Sequence, residues 1–137
     1  MKKVLFDTNI ILDIALKRNP FFNDAFKLFE LIDEKKITGI ITATTITDIY
    51  FISKKERGHL DAIHFLNNLM DVVDIIGGDK EVIIHALKLG LSDFEDAVQI
   101  SASEFNEIKI IVTRNKSDFV NTPLEIFTPK EFLKSGM

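Results

Sequence analysis

Short apolar runs alternate with longer stretches of helical periodicity along the whole chain. The runs predict strands at 2–6, 37–42, 72–76, 109–113 and 124–127. Between them, apolar residues spaced three and four apart predict helices at 10–16, from 20 to about 35, at 44–52, 59–70, 80–89 and 92–105, and from 129. Because strands that alternate with helices form βαβ units, the pattern predicts an α/β fold with a parallel sheet of about five strands.

Length and composition indicate one globular domain spanning 1–137. The chain has 137 residues, 46% of them hydrophobic, and shows neither an internal repeat nor a linker. It contains no Cys, which excludes disulfides and thiolate metal sites. Neither a signal region nor an apolar run of membrane-spanning length is present, so we expect a soluble cytoplasmic protein with no membrane partner.

The formal net charge of -4 argues against a passive nucleic-acid binder, which normally carries a basic surface. It does not exclude an enzyme that acts on nucleic acid, because bound divalent cations invert the sign of an acidic pocket. Basic residues do cluster locally at 17–18, 54–57 and 114–116. A solvated surface explains each of these clusters when it is taken alone.

Acidic and amide side chains follow three predicted strands. Because the carboxyl ends of parallel strands meet at one edge of a sheet, we expect these side chains to converge there. Asp7 ends the first strand, and Asp48 lies early in the helix after the second strand. Asp93 and Asp96 open the helix before the fourth strand, and Asn115 and Asp118 follow that strand.

Several carboxylates in one place repel one another unless a cation joins them. Oxygen ligands suit Mg²⁺ or Mn²⁺. Zinc is disfavoured because Cys is absent and none of the three histidines, His59, His64 and His85, stands at ligand spacing near the acids. A carboxylate site of this kind fits metal-assisted phosphodiester hydrolysis.

Each acid also has a structural explanation. Asp48 could form a capping box with Thr45, and Asp93 could stabilise the positive end of a helix. Turn chemistry could account for Asn115 and Asp118. Asp7 and Asp96 are harder to explain in this way. Asp7 interrupts an apolar strand, and Asp96 is flanked by apolar residues on a helix that must pack against the rest of the fold.

Glu95 is predicted to form a capping box with Ser92 rather than to take a catalytic role. Thr8 and Asn9 are predicted to hold Asp7 in place, although a simple turn explains them equally well.

Three segments resemble the motifs of PIN-domain proteins. They are VLFDTN at 4–9, DFEDAVQ at 93–99, and IVTRN at 111–115 followed by Asp118-Phe119. The resemblance extends from Lys3 to about Leu133 and is strongest to the small bacterial branch akin to VapC-type toxins. It implies a three-layer α/β/α fold with a central parallel sheet, and the activity of a Mg²⁺- or Mn²⁺-dependent endoribonuclease. It further implies an RNA substrate, an antitoxin partner and a homodimer.

The resemblance also assigns roles to residues. The catalytic acids map to Asp7, Asp48 and Asp96, and these acids would bind metal together with Asp93, Asn115 and Asp118. Apart from the resemblance, the nuclease hypothesis predicts that Thr8, Asn9 and Thr113 hold the site in place and that Arg114 and Lys116 contact substrate phosphate.

Two positions depart from the pattern of the family. Many members have Glu where Asp48 stands, and many have Asp where Asn115 stands; Asp93 or Asp118 is available to compensate. A non-catalytic PIN-like module that binds RNA or protein is therefore the alternative prediction. Phosphoacceptor receivers and aspartate-nucleophile phosphatases fit poorly, because both require a different arrangement of acids after the first strand.

Overall fold

A computed structural model describes residues 1–120 and 122–135, so Asn121 and the last two positions of the predicted domain lie outside the described residues. A 3₁₀ turn, Lys116–Asp118, precedes the last strand. The strands and helices follow one another in the order β1 (Lys2–Phe6), α1 (Thr8–Ala15), α2 (Phe22–Asp33), β2 (Ile37–Thr42), α3 (Ala43–Arg57), α4 (His59–Met70), β3 (Asp74–Ile76), α5 (Lys80–Lys88), α6 (Phe94–Phe105), β4 (Ile110–Val112), β5 (Glu125–Phe127) and α7 (Pro129–Lys134).

The five described strands form one sheet in the order β3-β2-β1-β4-β5, and every neighbouring pair is parallel. Strand β1 lies at the centre, where Leu5 pairs with Ile40 of β2 and Ile111 of β4. Its last three residues are buried, which explains why they form a continuous apolar run. The predicted central parallel sheet of five strands is confirmed.

Helices cover both faces of the sheet and make three layers. Val4 and Phe6 of β1 belong to a core formed with α1, α2, α3, α4 and α7. Leu5 points to the opposite face, where it packs with Ile100 of α6. Helix α5 lies against α6 on that side through Ala86. The fold is therefore the three-layer α/β/α arrangement.

Several element boundaries differ from the sequence prediction, and the largest difference is at the end of α3, which continues to Arg57 rather than ending at position 52. Helix α2 begins at Phe22 rather than at Pro20, because Pro20 lies in the turn that joins α1 to α2. Strand β3 begins at Asp74 rather than at position 72, since its pairing with β2 starts there. Helix α6 begins at Phe94, after the capping residue Asp93. None of the described helices has the length and hydropathy needed to cross a bilayer.

Candidate active site

An acidic cleft of about 220 Å³ opens where β1, β2 and β4 end. The structure brings together in its lining all six residues that the sequence analysis proposed as metal ligands. No Lys, Arg or His is among the described residues that line the cleft, which are Asp7, Thr8, Asn9, Leu12, Asp48, Ile52, Asp93, Glu95, Asp96, Asn115 and Asp118. The cleft therefore concentrates negative charge with no protein cation to neutralise it.

Asp7 is fixed by donors from three parts of the chain. Its carboxylate accepts hydrogen bonds from the Thr8 backbone N–H at 2.7 Å, the Thr113 hydroxyl at 2.8 Å and the Gln99 amide at 3.2 Å. The side chain is 5% exposed, and this burial raises the pKa of Asp7 even though all three hydrogen bonds lower it. The three donors therefore set the orientation of the Asp7 carboxylate, while burial of its negative charge still costs free energy.

The residues predicted to hold Asp7 do so to different extents. The Thr113 hydroxyl contacts Asp7 directly, whereas the Thr8 hydroxyl bonds Glu95 at 2.7 Å and Thr45 at 2.9 Å. Asn9 lines the cleft. Sequence analysis missed Gln99, which lies three residues after Asp96 and thus on the same helical face. That spacing is the signal that could have identified it.

The capping box predicted for Ser92 and Glu95 is wrong. Asp93 caps α6 instead, because its carboxylate accepts a hydrogen bond from the Asp96 backbone N–H at 3.2 Å. Glu95 faces the cleft, beside the carboxyl of Asp48. Burial, followed by the contact with Asp48, raises the pKa of Glu95 to about 8. Residues 93–96 contain three acids, which is more than one helix cap needs. This excess could have identified Glu95 as a residue of the cleft.

Asp96 carries the second strongly raised pKa in the cleft. Burial raises it to about 7, with further contributions from the charges of Asp7, Asp93 and Asp118. At neutral pH, both Asp96 and Glu95 therefore hold protons for part of the time. These protons lower the mutual repulsion of the acids, as a bound cation also would.

The donor set of the cleft fits a hard divalent cation. Carboxylates and the amides of Asn9 and Asn115 supply oxygen ligands, which Mg²⁺ and Mn²⁺ prefer. Within residues 1–120 and 122–135, no three acidic or His side chains are already arranged around a common point. Asp7 and Glu95 instead use their oxygens to accept hydrogen bonds from neighbouring side chains. Binding of an ion would therefore displace protons and hydrogen bonds from these carboxylates and replace them with coordination bonds.

The two residues predicted to contact phosphate lie outside the cleft lining. Arg114 forms an ion pair with buried Asp13, with Nε 2.9 Å from Oδ2, and its guanidinium carbon lies 3.9 Å from the centre of the Phe21 ring. Lys116 pairs with Glu131 at 3.1 Å. The structure therefore does not bring these two cations together with the acids.

Solved structures with the same fold come from several bacteria. VapBC2 from Rickettsia felis, solved with a DNA fragment from its promoter, is 17% identical, with a TM-score of 0.71 over 92% of this chain and 98% of that chain. A toxin-antitoxin complex from Klebsiella pneumoniae is 20% identical, with a TM-score of 0.69 over 92% and 97%. Mycobacterium tuberculosis VapC20, described as a Sarcin-Ricin loop cleaving toxin, is 13% identical, with a TM-score of 0.64 over 79% and 86%.

The sequence itself identifies the family. No curated protein matches the chain. The model of the PIN domain, however, matches residues 3–117, which include the motif segments at 4–9, 93–99 and 111–115 but not Asp118-Phe119. With the fold and the acidic cleft in agreement with this match, the chain belongs to the PIN-domain family.

Proposed function

We propose that this chain is a Mg²⁺- or Mn²⁺-dependent endoribonuclease in which Asp7, Asp48 and Asp96 are the catalytic acids. The observation that carries the proposal is the cleft itself. Carboxylates distant in sequence meet there, with no Lys or Arg among its described lining residues. Such a site is costly to a protein unless it holds a cation, and a divalent cation at oxygen ligands suits phosphodiester hydrolysis.

RNA is the proposed substrate, and a toxin-antitoxin pair is the proposed setting. One neighbour of the same fold is described as a toxin that cleaves the Sarcin-Ricin loop, which supports RNA. Two others were solved as VapBC or toxin-antitoxin complexes, which supports an antitoxin partner. We further propose that the chain acts as a single domain, 1–137, and as a homodimer.

The chain's own residues have separable tasks in this proposal. Asp7 and Asp96 would hold the ion, with Asp48, Asp93, Asn115 and Asp118 completing its surroundings. When bound, the ion supplies an activated water and stabilises charge on the phosphate. Thr113 and Gln99 keep the Asp7 carboxylate in one orientation before substrate arrives.

A non-catalytic PIN-like binding module is the second candidate. Asn115 supplies an amide where an acid would add charge, and this favours weaker metal binding. The described acids also do not already surround a common point. This candidate predicts that RNA or protein binds and that no bond is cut.

Incubation of the purified chain with a mixed RNA pool separates the two candidates. We expect cleavage with Mn²⁺, its loss when a chelator is added, and its return when Mn²⁺ is restored in excess. A mock purification from cells that lack the chain controls for contaminating nucleases. Binding of RNA without metal-dependent cleavage would contradict the nuclease proposal and favour the binding module.

A further inference from the structure

Helix α3 lies beside the acidic cleft with its first half and ends in a cluster of basic residues. Asp48 and Ile52 line the cleft, and residues three, four and seven positions apart share one face of a helix. Phe51 and Lys55 therefore lie on the same side as these two residues. We call Asp48, Phe51, Ile52 and Lys55 the α3 stripe. At the helical rise, Lys55 lies about 10 Å along the axis from Asp48.

Phe51 is an exposed aromatic next to the cleft. Its side chain is 66% exposed, whereas the neighbouring Tyr50 is half-buried. The two rings meet edge-on with centres 5.4 Å apart, and the Tyr50 hydroxyl hydrogen-bonds to His59 Nδ1 at 2.8 Å. Tyr50 thus supports Phe51 from one side and leaves ring surface open. Aromatic rings of this kind stack on nucleobases regardless of sequence.

The far end of the α3 stripe is positively charged. Lys54, Lys55 and Arg57 lie in the last turn of α3, against one acid, Glu56. Among the described residues, none of these three cations forms an ion pair with a carboxylate. Arg57 donates a hydrogen bond to the Leu16 carbonyl at 3.2 Å, and Lys54 Nζ lies 5.7 Å from the centre of the Tyr50 ring. Lys55 is therefore the cation of this group that is best placed to contact a phosphate group. A chain with a net charge of -4 and an acidic cleft needs such a local attraction to hold RNA.

We propose that the α3 stripe binds single-stranded RNA where it leaves the cleft, with a base stacked on Phe51 and a phosphate at Lys55. The inference rests on the proposed nuclease function, because it takes the cleft as the point of cleavage. Unpaired strands fit because their bases are free to stack on side chains.

Fluorescence anisotropy with a labelled ten-nucleotide single-stranded RNA tests this surface. All proteins carry Asp7→Asn so that the RNA stays intact. We expect Phe51→Ala to raise Kd about tenfold, Phe51→Leu to weaken binding similarly because it lacks a π face, and Phe51→Trp to retain binding. None of these changes should alter the salt dependence, since no charge is removed.

Lysine substitutions give an independent readout. Lys55→Ala should lower the slope of log affinity against log salt by about 0.7, the value for one phosphate contact on a single strand. Lys109→Ala is the matched control, since Lys109 precedes β4 at the opposite edge of the sheet and lines a different cavity. Urea unfolding of each variant confirms that the proteins compared are equally folded.

Two results would overturn the inference. One is unchanged RNA affinity and salt slope in both Phe51→Ala and Lys55→Ala. The other is loss of self-association or of antitoxin binding in Phe51→Ala with unchanged RNA affinity, which would assign the stripe to a protein partner. Absence of Mn²⁺-dependent cleavage by the chain that retains Asp7 would refute the nuclease proposal separately, because the binding data do not depend on catalysis. In proteins that retain Asp7, we expect Phe51→Ala and Lys55→Ala to raise the KM for RNA cleavage and to leave kcat unchanged.

Discussion

Asp7→Asn is expected to lower Mn²⁺-dependent RNA cleavage by about a thousandfold. The substitution keeps the size and shape of the side chain but removes its charge at the centre of the cleft. Asp7 is 5% exposed and held by Thr8, Thr113 and Gln99, so we expect the neutral amide to stand where the carboxylate stands now. Initial rates on a labelled RNA, measured at saturating Mn²⁺, give the comparison.

The fold should survive this substitution. Burying an amide costs less than burying a charge, so we expect the free energy of unfolding without metal to be unchanged or raised. Asp79→Asn is the matched control, because Asp79 caps α5 as Asp7 caps α1, accepting from the Val82 N–H at 3.1 Å, but does not line the cleft. The control should cleave like the unmodified chain. Cleavage by Asp7→Asn at that same rate would show that Asp7 holds no essential ion.

Arg114→Ala is expected to lower the free energy of unfolding by about 3 kcal/mol. Its partner Asp13 is 1% exposed, and burial raises the pKa of Asp13 against the opposing effect of Arg114. Two of the three guanidinium nitrogens approach the carboxylate, Nε at 2.9 Å and Nη2 at 3.3 Å, and the guanidinium also packs on Phe21. Removing Arg114 leaves the buried Asp13 carboxylate without its ion-pair partner, and only the charge of Arg18 then favours its ionised form. Urea denaturation near neutral pH measures the loss.

The same variant has a pH dependence that identifies the cause. Asp13 can take up a proton at low pH and lose its charge, so the destabilisation by Arg114→Ala should shrink toward about pH 5. Combining Asp13→Leu with Arg114→Met should recover most of the stability, because an apolar pair of similar volume replaces a buried ion pair. A change below about 0.5 kcal/mol in Arg114→Ala would contradict this structural role.

The sequence was sufficient to predict the parallel sheet of the fold and the meeting point of the acids. Both follow from local pattern and from topology: Asp7 directly follows a buried strand, and Asp96 lies in the first turn of a helix that starts at the same sheet edge. Once the strands are parallel, the positions of the acids are determined by where the strands end. No knowledge of individual side-chain contacts was needed.

Contacts between distant segments could not be predicted in this way. Arg114 appeared free to bind phosphate, but its partner Asp13 lies 101 positions earlier in the chain. Glu95 matched a capping box by spacing, and only the competing cap by Asp93 turns it into the cleft. In both cases a local pattern allowed several partners, and tertiary packing selected one of them.

The central claim is that acids distant in sequence share one cleft and need a cation to coexist. The most direct test is unfolding with and without Mn²⁺ from about pH 5 to about pH 8, for the unmodified chain and for Asp96→Asn. The folded state keeps protons on Asp96 and Glu95, whose pKa values are about 7 and about 8, while the unfolded chain releases them near pH 4 to 5. Without metal, the free energy of unfolding should therefore fall as pH rises through this range.

Mn²⁺ competes with these protons, so its stabilising effect should be small at about pH 5 and grow toward about pH 8. Asp96→Asn should show a flatter pH profile without metal and should lose most of the response to Mn²⁺. If Mn²⁺ fails to stabilise the unmodified chain at about pH 8, or stabilises Asp96→Asn equally, the cleft does not hold the cation on which this account depends.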